Sequence, residues 1–412
     1  MTRIDSSPSD PRRRAVLVGS ASTVAAAGLA AIGGNAVAQT AATPATSGGA
    51  KPLPAYVDWK NREALIVHSG NTIETKRSAF GTSVITPNDK LYVRNNLPPP
   101  SADVVADRDA WEIGIEGVGK PRTLTVGDLK SMGLATVATV LQCSGNGRGY
   151  YPSKPSGTPW TVGAAGCVIW SGMPVRELVK ALGGVTKGMV YMTSTGGEKI
   201  PEGLDPNTAL VERSVPMAAL EDAILAWELN GEALPLAHGG PLRIVVPGYS
   251  GVNNVKYVKR LAFTTEQSPA KIQQTGYRMT PPGKTSTPQD PSVWEMGTKS
   301  WINSPLPDEG TLKKGRVVIE GIAMGGMRSV AKVDVSIDGG ATWKPARLLG
   351  PDLGRYAWRQ FALEAELATG THTLVSRATD DKGKVQVENR LENSHGYSNN
   401  SWRDHAVEVQ VG

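Results

Sequence analysis

From residue 311 to the C-terminus the chain consists of short runs in which apolar and polar residues alternate. Residues 316–323 (RVVIEGIA), 330–337 (VAKVDVSI), 357–363 (AWRQFAL) and 372–378 (HTLVSRA) each read as a strand with an apolar face to bury. Asp338-Gly339-Gly340 falls between two of them and reads as a hairpin turn. Strands this short and closely spaced hide their apolar faces by stacking, so 311–412 is expected to be a β-sandwich. The preceding part, 61–266, is mixed. Runs 111–115 (WEIGI), 136–141 (TVATVL) and 242–246 (LRIVV) read as strands, whereas 175–182 (VRELVKAL) and 217–227 (MAALEDAILAW) have the apolar spacing of helices. Between these parts, 267–310 is rich in Gln, Pro, Ser and Thr and reads as a connector that lines a site or links domains. The fold class is therefore α+β followed by all-β.

The N-terminus reads as a targeting segment rather than as part of the fold. Arg12-Arg13-Arg14 precedes a small apolar stretch that ends in Ala36-Val37-Ala38, the small-x-small pattern of a signal peptidase site. Twin arginines followed by x-Val-Leu fit the Tat route, so residues 1–38 are expected to be removed on export to the periplasm. Residues 39–60, opening with QTAATPATSGGAKPLP, read as a linker. No later apolar run reaches the ~18–20 residues of a membrane helix. Residues 1–38 hold four Arg and two Asp, so the rest of the chain keeps +4 of the formal +6. That is weakly basic, with no basic stripe interleaved with aromatics, and nucleic acid is not indicated.

The chemistry is concentrated in 141–151, Leu-Gln-Cys-Ser-Gly-Asn-Gly-Arg-Gly-Tyr-Tyr. A strand-like run delivers Cys143 into a loop whose glycines let backbone approach a ligand closely. Arg148 supplies a fixed cation, which favours a thiolate. Taken alone, the loop is equally readable as a reactive or metal-binding cysteine, as one half of a disulfide with Cys167, or as a buried structural thiol. Only two cysteines exist, and they stand 24 positions apart, which excludes both a CxxC metal site and a CxxCH haem attachment site.

Several segments, in order, resemble the sulfite oxidase family of molybdopterin enzymes. LQCSGNGR is similar to that family's LQCAGNRR. Trp160, Gly163-Ala164 and Trp170-Ser171-Gly172 follow. Later come AWELNG at 226–231, HGGPLRIVVPG at 238–248, and Gly251 ahead of Val255-Lys256-Tyr257. Upstream, Tyr92-Val93-Arg94-Asn95 resembles the family's RNH motif. The likeness spans roughly 85–412. It implies a molybdopterin-binding domain followed by an immunoglobulin-like sandwich that mediates dimerisation. The implied cofactor is molybdenum held by one molybdopterin, with Cys143 as the thiolate ligand, in keeping with a soft ligand for a polarizable metal.

The resemblance further implies that His238, Arg243 and Lys256 bind the pterin and its phosphate, with Ser214 as a weaker polar contact. Arg94, Arg148 and Tyr277 would form the substrate pocket beside the metal, and Cys167 a small buried residue. Two departures stand out. The family's RNH is Arg94-Asn95-Asn96 here, so Asn96 can hydrogen-bond but carries no charge. Near the C-terminus HGYSNNSW resembles RGVLSNAW, and His395 stands where the family has a substrate-binding arginine.

The implied reaction is a two-electron oxidation of a sulfur centre, with the protein supplying ligation, position and charge. With no haem motif in the chain, a separate c-type cytochrome is expected as acceptor, in a homodimer or in a heterotetramer with the cytochrome. The departures are most like the molybdenum subunit of a sulfane dehydrogenase, which acts on sulfur held by a carrier protein. A sulfite dehydrogenase is the close alternative, and a reductase of oxidised methionine a distant third. A non-catalytic binding protein that kept the fold and lost the metal is the rival of another class, and Cys143 together with Arg148 argues against it.

Overall fold

The computed structural model describes residues 51–81 and 83–412. The targeting segment 1–38 and residues 39–50 of the expected linker lie outside the described residues. Residues 51–60 are not extended linker. They form the 3-10 turn Ala55–Val57 and bury Val57 and Lys60, because Val57 packs with Leu65, Ile73 and Val93. No helix among the described residues is long and apolar enough to cross a membrane.

The first part of the chain is built on three sheets. A small antiparallel sheet pairs Leu65–Ser69, Thr72–Thr75 and Val93–Arg94, and its last strand carries Arg94. A second sheet pairs Ala135–Gln142 with Ala165–Pro174, then Ile224–Leu229, which in turn pairs with Glu232–Ala233 and Arg243–Val245. The third runs Arg122–Thr125, Glu112–Glu116, Val258–Thr264, Tyr191–Gly196, Glu212–Pro216, with Glu112–Glu116 parallel to Val258–Thr264. One apolar cluster joins the second and third sheets. Ile113, Ile115 and Leu261 meet Leu225, Leu242 and Ile244 there, and the helices Val126–Met132 and Val175–Ala181 contribute Leu129 and Leu178. The first helix starts on a capping box: Thr125 accepts from the Asp128 amide, and the Asp128 side chain accepts from the Thr125 amide.

The helix expected at 217–227 is a 3-10 turn, Met217–Glu221, followed by the strand Ile224–Leu229. This strand lies inside its sheet with both faces covered, so it is apolar on both sides and shows no period of two. Such a run has the same composition as a buried helix, and tertiary pairing decides between them.

The C-terminal part is one antiparallel path of seven strands in the order Lys299–Ser304, Gly315–Met324, Arg359–Leu367, Lys344–Leu349, Val330–Ser336, Gly370–Asp380, Val407–Val411. It folds over its own core of Ile319, Val333, Phe361 and Leu374. The first and sixth strands of this path come together where the Ser300 and Ser376 hydroxyls hydrogen-bond at 3.0 Å. The 267–310 stretch, expected as a connector, contributes Lys299–Ser304 to this sheet and carries the short helix Lys271–Gln274 and Tyr277 along the first part. Its Pro and Ser content hides the strand, which is only six residues long.

The two parts share an apolar seam. Phe80, Val140 and Cys167 pack with Trp301, Ile322 and Trp358, and the Val140 amide donates to the Tyr356 carbonyl at 2.8 Å. This seam fixes the sandwich against the strand that ends at Cys143.

Candidate active site

Cys143 follows directly on the strand Ala135–Gln142 and is 8% exposed. Its amide donates to Ala164 O at 2.9 Å, and its carbonyl accepts from the Asn146 amide at 2.9 Å, so the backbone holds the thiol independently of the side chain. Asn146 ties the loop to the sheet by donating to Gln142 Oε1 at 3.0 Å and accepting from the Ala164 amide at 3.1 Å. Gly147 takes φ +94, and a Cβ there would lie 2.9 Å from Asn399, a residue of the sandwich. That residue donates from Nδ2 to Gly147 O at 2.9 Å, and Ser398 N donates to Ser144 O at 2.9 Å. The cysteine loop is thus clasped from both parts of the chain. Both cysteines are free. The disulfide reading is therefore set aside: Cys167 is fully buried in the strand Ala165–Pro174, and burial pushes its thiol up to about 12.

Two cavities meet at Cys143, Arg94 and Tyr277. The inner one, about 600 Å³ including its mouth, is lined by Asn95, Asn96, His238, Arg243 and Lys256 among others. His238 sits in the 3-10 turn Leu236–His238, fully buried, and its Nε2 has no partner. Burial and the nearby cations hold its imidazole well below its ordinary range, so the ring is neutral. Arg243 gives Nε to Asn254 O at 3.0 Å and Nη1 to His238 O at 2.8 Å. Burial lowers it to about 10. Lys256 donates to Asn95 Oδ1 and to Ala237 O, both at 2.6 Å, and burial again lowers it strongly. These groups are two buried basic side chains and an orphaned imidazole, faced by one carboxyl, that of Glu198, and a phosphate monoester matches the remaining deficit of negative charge.

At the other end stands the Cys143 thiol. Among the described residues no three or more His, Cys, Asp or Glu converge to hold a metal. The donor set therefore offers a metal one protein thiolate and leaves its remaining coordination to a ligand with its own soft donors. A pterin dithiolene with a phosphate tail fits both ends: His238, Arg243 and Lys256 would hold the phosphate, and Cys143 the metal.

The outer cavity, about 700 Å³, is lined by Arg94, Arg148, Trp160, Tyr277, His395 and Tyr397 together with Thr72 and 156–158. Arg148 is 8% exposed. Its Nε donates to His395 O at 2.7 Å and its Nη1 to Thr158 O at 3.1 Å. Arg94 donates to the Asn95 carbonyl and, at 2.7 Å, to Asn96 Oδ1. Tyr277 donates its hydroxyl to the same Asn96 Oδ1 at 3.2 Å, from a left-handed backbone at φ +53. Asn96 therefore organises Arg94 and Tyr277 through one acceptor oxygen. His395 reaches the cavity wall with Nε2 on Ser286 Oγ at 2.7 Å. Burial first, then Arg148, lowers its pKa from the ordinary histidine value, so it adds no fixed charge at neutral pH.

Ser214 is not brought to the inner cavity. Its Oγ bonds Thr193 Oγ1 at 2.7 Å and accepts from Ser268 N at 2.8 Å. Alternation along Glu212–Pro216 turns Arg213 the other way, where its guanidinium lies 5.7 Å from the Tyr277 ring. Sequence reasoning also missed Tyr397 and Glu198.

Glu198 lines the inner cavity with Oε2 buried and unpartnered, and desolvation raises its carboxyl to about 7. With the folded value above the ordinary 4.5, the penalty for ionising it is absent below about pH 4.5 and complete once pH has risen through 7. Glu198→Gln is therefore expected to raise Tm of the cofactor-free chain by about 2–4 °C at pH 8 and to leave it unchanged at pH 4.5. Thermal melts of both proteins at the two pH values check this, and an equal shift at both would show that ionisation is not the cause.

Comparisons with known proteins agree with this geometry. Residues 99–272 match the family profile described as oxidoreductase molybdopterin binding domain, and 290–411 match the Mo-co oxidoreductase dimerisation domain. The chain is 33% identical over 351 residues to mitochondrial sulfite oxidase of Rattus norvegicus, which covers 80% of this chain and 62% of that protein. It is 32% identical to sulfite oxidase of Gallus gallus (77% and 72% covered) and 31% identical to that of Arabidopsis thaliana (82% and 91% covered). Among solved structures it resembles the sulfane dehydrogenase SoxCD from Paracoccus pantotrophus, with a TM-score of 0.69 and 26% identity, covering 84% of this chain and 89% of that one. With a molybdopterin pocket, a dimerisation-type sandwich and these relatives, the chain belongs to the sulfite oxidase family of molybdenum–molybdopterin oxidoreductases.

Proposed function

We propose that this protein oxidises sulfane sulfur carried on a thiol of a partner protein and passes the electrons to a c-type cytochrome in the periplasm. The observation that carries the reading is the meeting of the two cavities at Cys143, with Arg94, Arg148 and Tyr277 around the junction. The molybdenum cofactor, when bound, supplies oxygen-atom transfer and accepts two electrons. The chain's residues do the rest. Cys143 anchors the metal end, and His238, Arg243 and Lys256 anchor the phosphate end. Arg94 and Arg148 draw a sulfur species with partial negative charge to the junction, and Tyr277 offers a hydroxyl to it. Trp160 and Tyr397 restrict water at the outer wall.

The sulfane reading is supported by the likeness to SoxCD and by His395. A neutral histidine leaves the outer cavity one fixed cation short of the family pattern, which disfavours a compact anion. Free sulfite is the second reading, favoured by the identity with sulfite oxidases. The cytochrome is supported by the absence of any CxxCH site in the sequence, and the periplasm by the twin-arginine segment.

The test uses purified holoprotein with cytochrome c or an artificial acceptor. A carrier-type cysteine persulfide should be oxidised in preference to sulfite. His395→Arg should move that preference toward sulfite by roughly 10-fold or more, the scale of one charge-assisted hydrogen bond. Sulfite preferred by the unaltered protein would establish the second reading. Cell fractionation should find the protein in the periplasm, and recovery from the cytoplasm alone would refute the assigned location.

A further inference from the structure

We propose that Tyr397, delivered by the sandwich, is a substrate-binding residue: its ring and that of Tyr277 form an aromatic wall that binds polarizable divalent sulfur in preference to a compact oxyanion. This deepens the proposed function and rests on that reading of the outer cavity. The two rings stack with centroids 5.2 Å apart and planes 13° apart, and both line the cavity that contains Cys143. His395 extends the wall, with its ring centroid 5.4 Å from that of Tyr397. In the family segment resembling this one a valine stands where this chain has Tyr397, so the wall is a departure of this sequence.

The ring is held in place by its backbone. Tyr397 N donates to Asn393 Oδ1 at 2.9 Å, and its carbonyl accepts from Asn393 Nδ2 at 2.9 Å and from the Tyr151 hydroxyl at 3.1 Å. The next residue, Ser398, adopts a left-handed φ of +54 while its amide bonds the cysteine loop. Strain of this kind persists where the surroundings over-determine it, and it collects at sites of function. The Tyr397 hydroxyl makes no hydrogen bond among the described residues, so it is a donor still to be used. Burial pushes its pKa up, and it stays protonated across the neutral range.

The cations of the cavity are less available than their number suggests. Arg148 has given Nε and Nη1 to carbonyls, and its guanidinium lies 5.3 Å from the Tyr397 ring centroid. Arg94 is engaged with Asn95 and Asn96. A compact oxyanion needs several free N–H groups at once and finds few. Divalent sulfur is polarizable, weakly hydrated and favoured against aromatic rings. A thiol-linked sulfur chain would lie along the wall and take one hydrogen bond from the Tyr397 hydroxyl.

The experiment is equilibrium calorimetry on holoprotein, which needs no turnover. The two probes are a short peptide whose cysteine is capped as a methyl disulfide, and sulfate. The expected result for Tyr397→Val is a peptide Kd about 10-fold higher, the scale of a sulfur–aromatic contact with one hydrogen bond, and a sulfate Kd within about twofold of the unaltered protein. Tyr397→Phe keeps the wall and should lose less. An unchanged peptide Kd in Tyr397→Val overturns the proposal, as do equal losses for both probes or no peptide binding by the unaltered protein. If both probes behave as expected but a carrier persulfide does not reduce the enzyme, the sulfane reading fails and the aromatic wall stands.

Discussion

Cys143→Ser is expected to lower sulfur oxidation by at least ~10²–10³-fold, the scale on which removal of one well-placed group at a reacting centre is felt, while the fold survives. Both backbone hydrogen bonds of Cys143 are made by its amide and carbonyl, and serine keeps them. The side chain is small and sits at the junction of two cavities, so the change leaves no void for the core to absorb. What changes is the donor. A hydroxyl is hard and stays protonated at neutral pH, and among the described residues no cluster of three or more Cys, His, Asp and Glu groups stands ready to hold the metal in its place. His238, Arg243 and Lys256, the residues proposed for the phosphate end, are untouched, so much of the molybdenum should remain. Metal analysis, circular dichroism and steady-state rates on one preparation test this. Full activity with molybdenum retained would remove Cys143 from the chemistry.

Arg148→Gln is expected to cost about 10²–10³-fold in kcat/KM together with stability of about 1–3 kcal/mol for the carbonyls left without donors. The side chain is packed by glycines at three places: a Cβ on Gly145 or Gly157 would approach the guanidinium within 2.6–2.7 Å, and one on Gly396 would lie 2.8 Å from Arg148 Cγ. It also holds the carbonyl of His395 and that of Thr158, so its loss loosens the outer wall as well as removing a charge. Glutamine can restore one of the two hydrogen bonds at most, since its amide cannot span both acceptors. Rates measured alongside denaturant unfolding separate the two effects. A variant with unchanged kcat/KM and lowered stability would make Arg148 a structural brace only.

Much of the site could be read from the sequence because its chemistry is local. Cys143, Arg148 and their glycines lie within one loop, and His238 to Lys256 within nineteen consecutive positions, so the family resemblance of two short segments was enough to point to them. The sandwich strands were legible because one face of each is buried and the other is wet. The strand Ile224–Leu229 was not, since burial on both faces erases the alternation that distinguishes it from a helix. Ser214 was misplaced because a motif gives position along a strand without the face. The alternation through Glu212–Pro216 puts Arg213 on the opposite face from Ser214, near the Tyr277 ring. Tyr397 and Glu198 carry no local signal: one reaches Cys143 from more than 250 positions away, and the other is an acid in a polar loop. Only tertiary structure makes either of them visible. Residues 299–304 were concealed differently, a short paired strand inside a stretch of loop-like composition.

The clasp formed by Ser398 and Asn399 on the cysteine loop has an evolutionary consequence. A segment of about ten residues in the second domain sets the entrance chemistry of a metal site built wholly by the first. Sequence change there can move substrate range while the ligand and phosphate anchors stay under separate selection. Grafting 393–402 between relatives is thus a route to exchanging specificities, and a molybdopterin domain expressed alone would have its catalytic floor without a doorway.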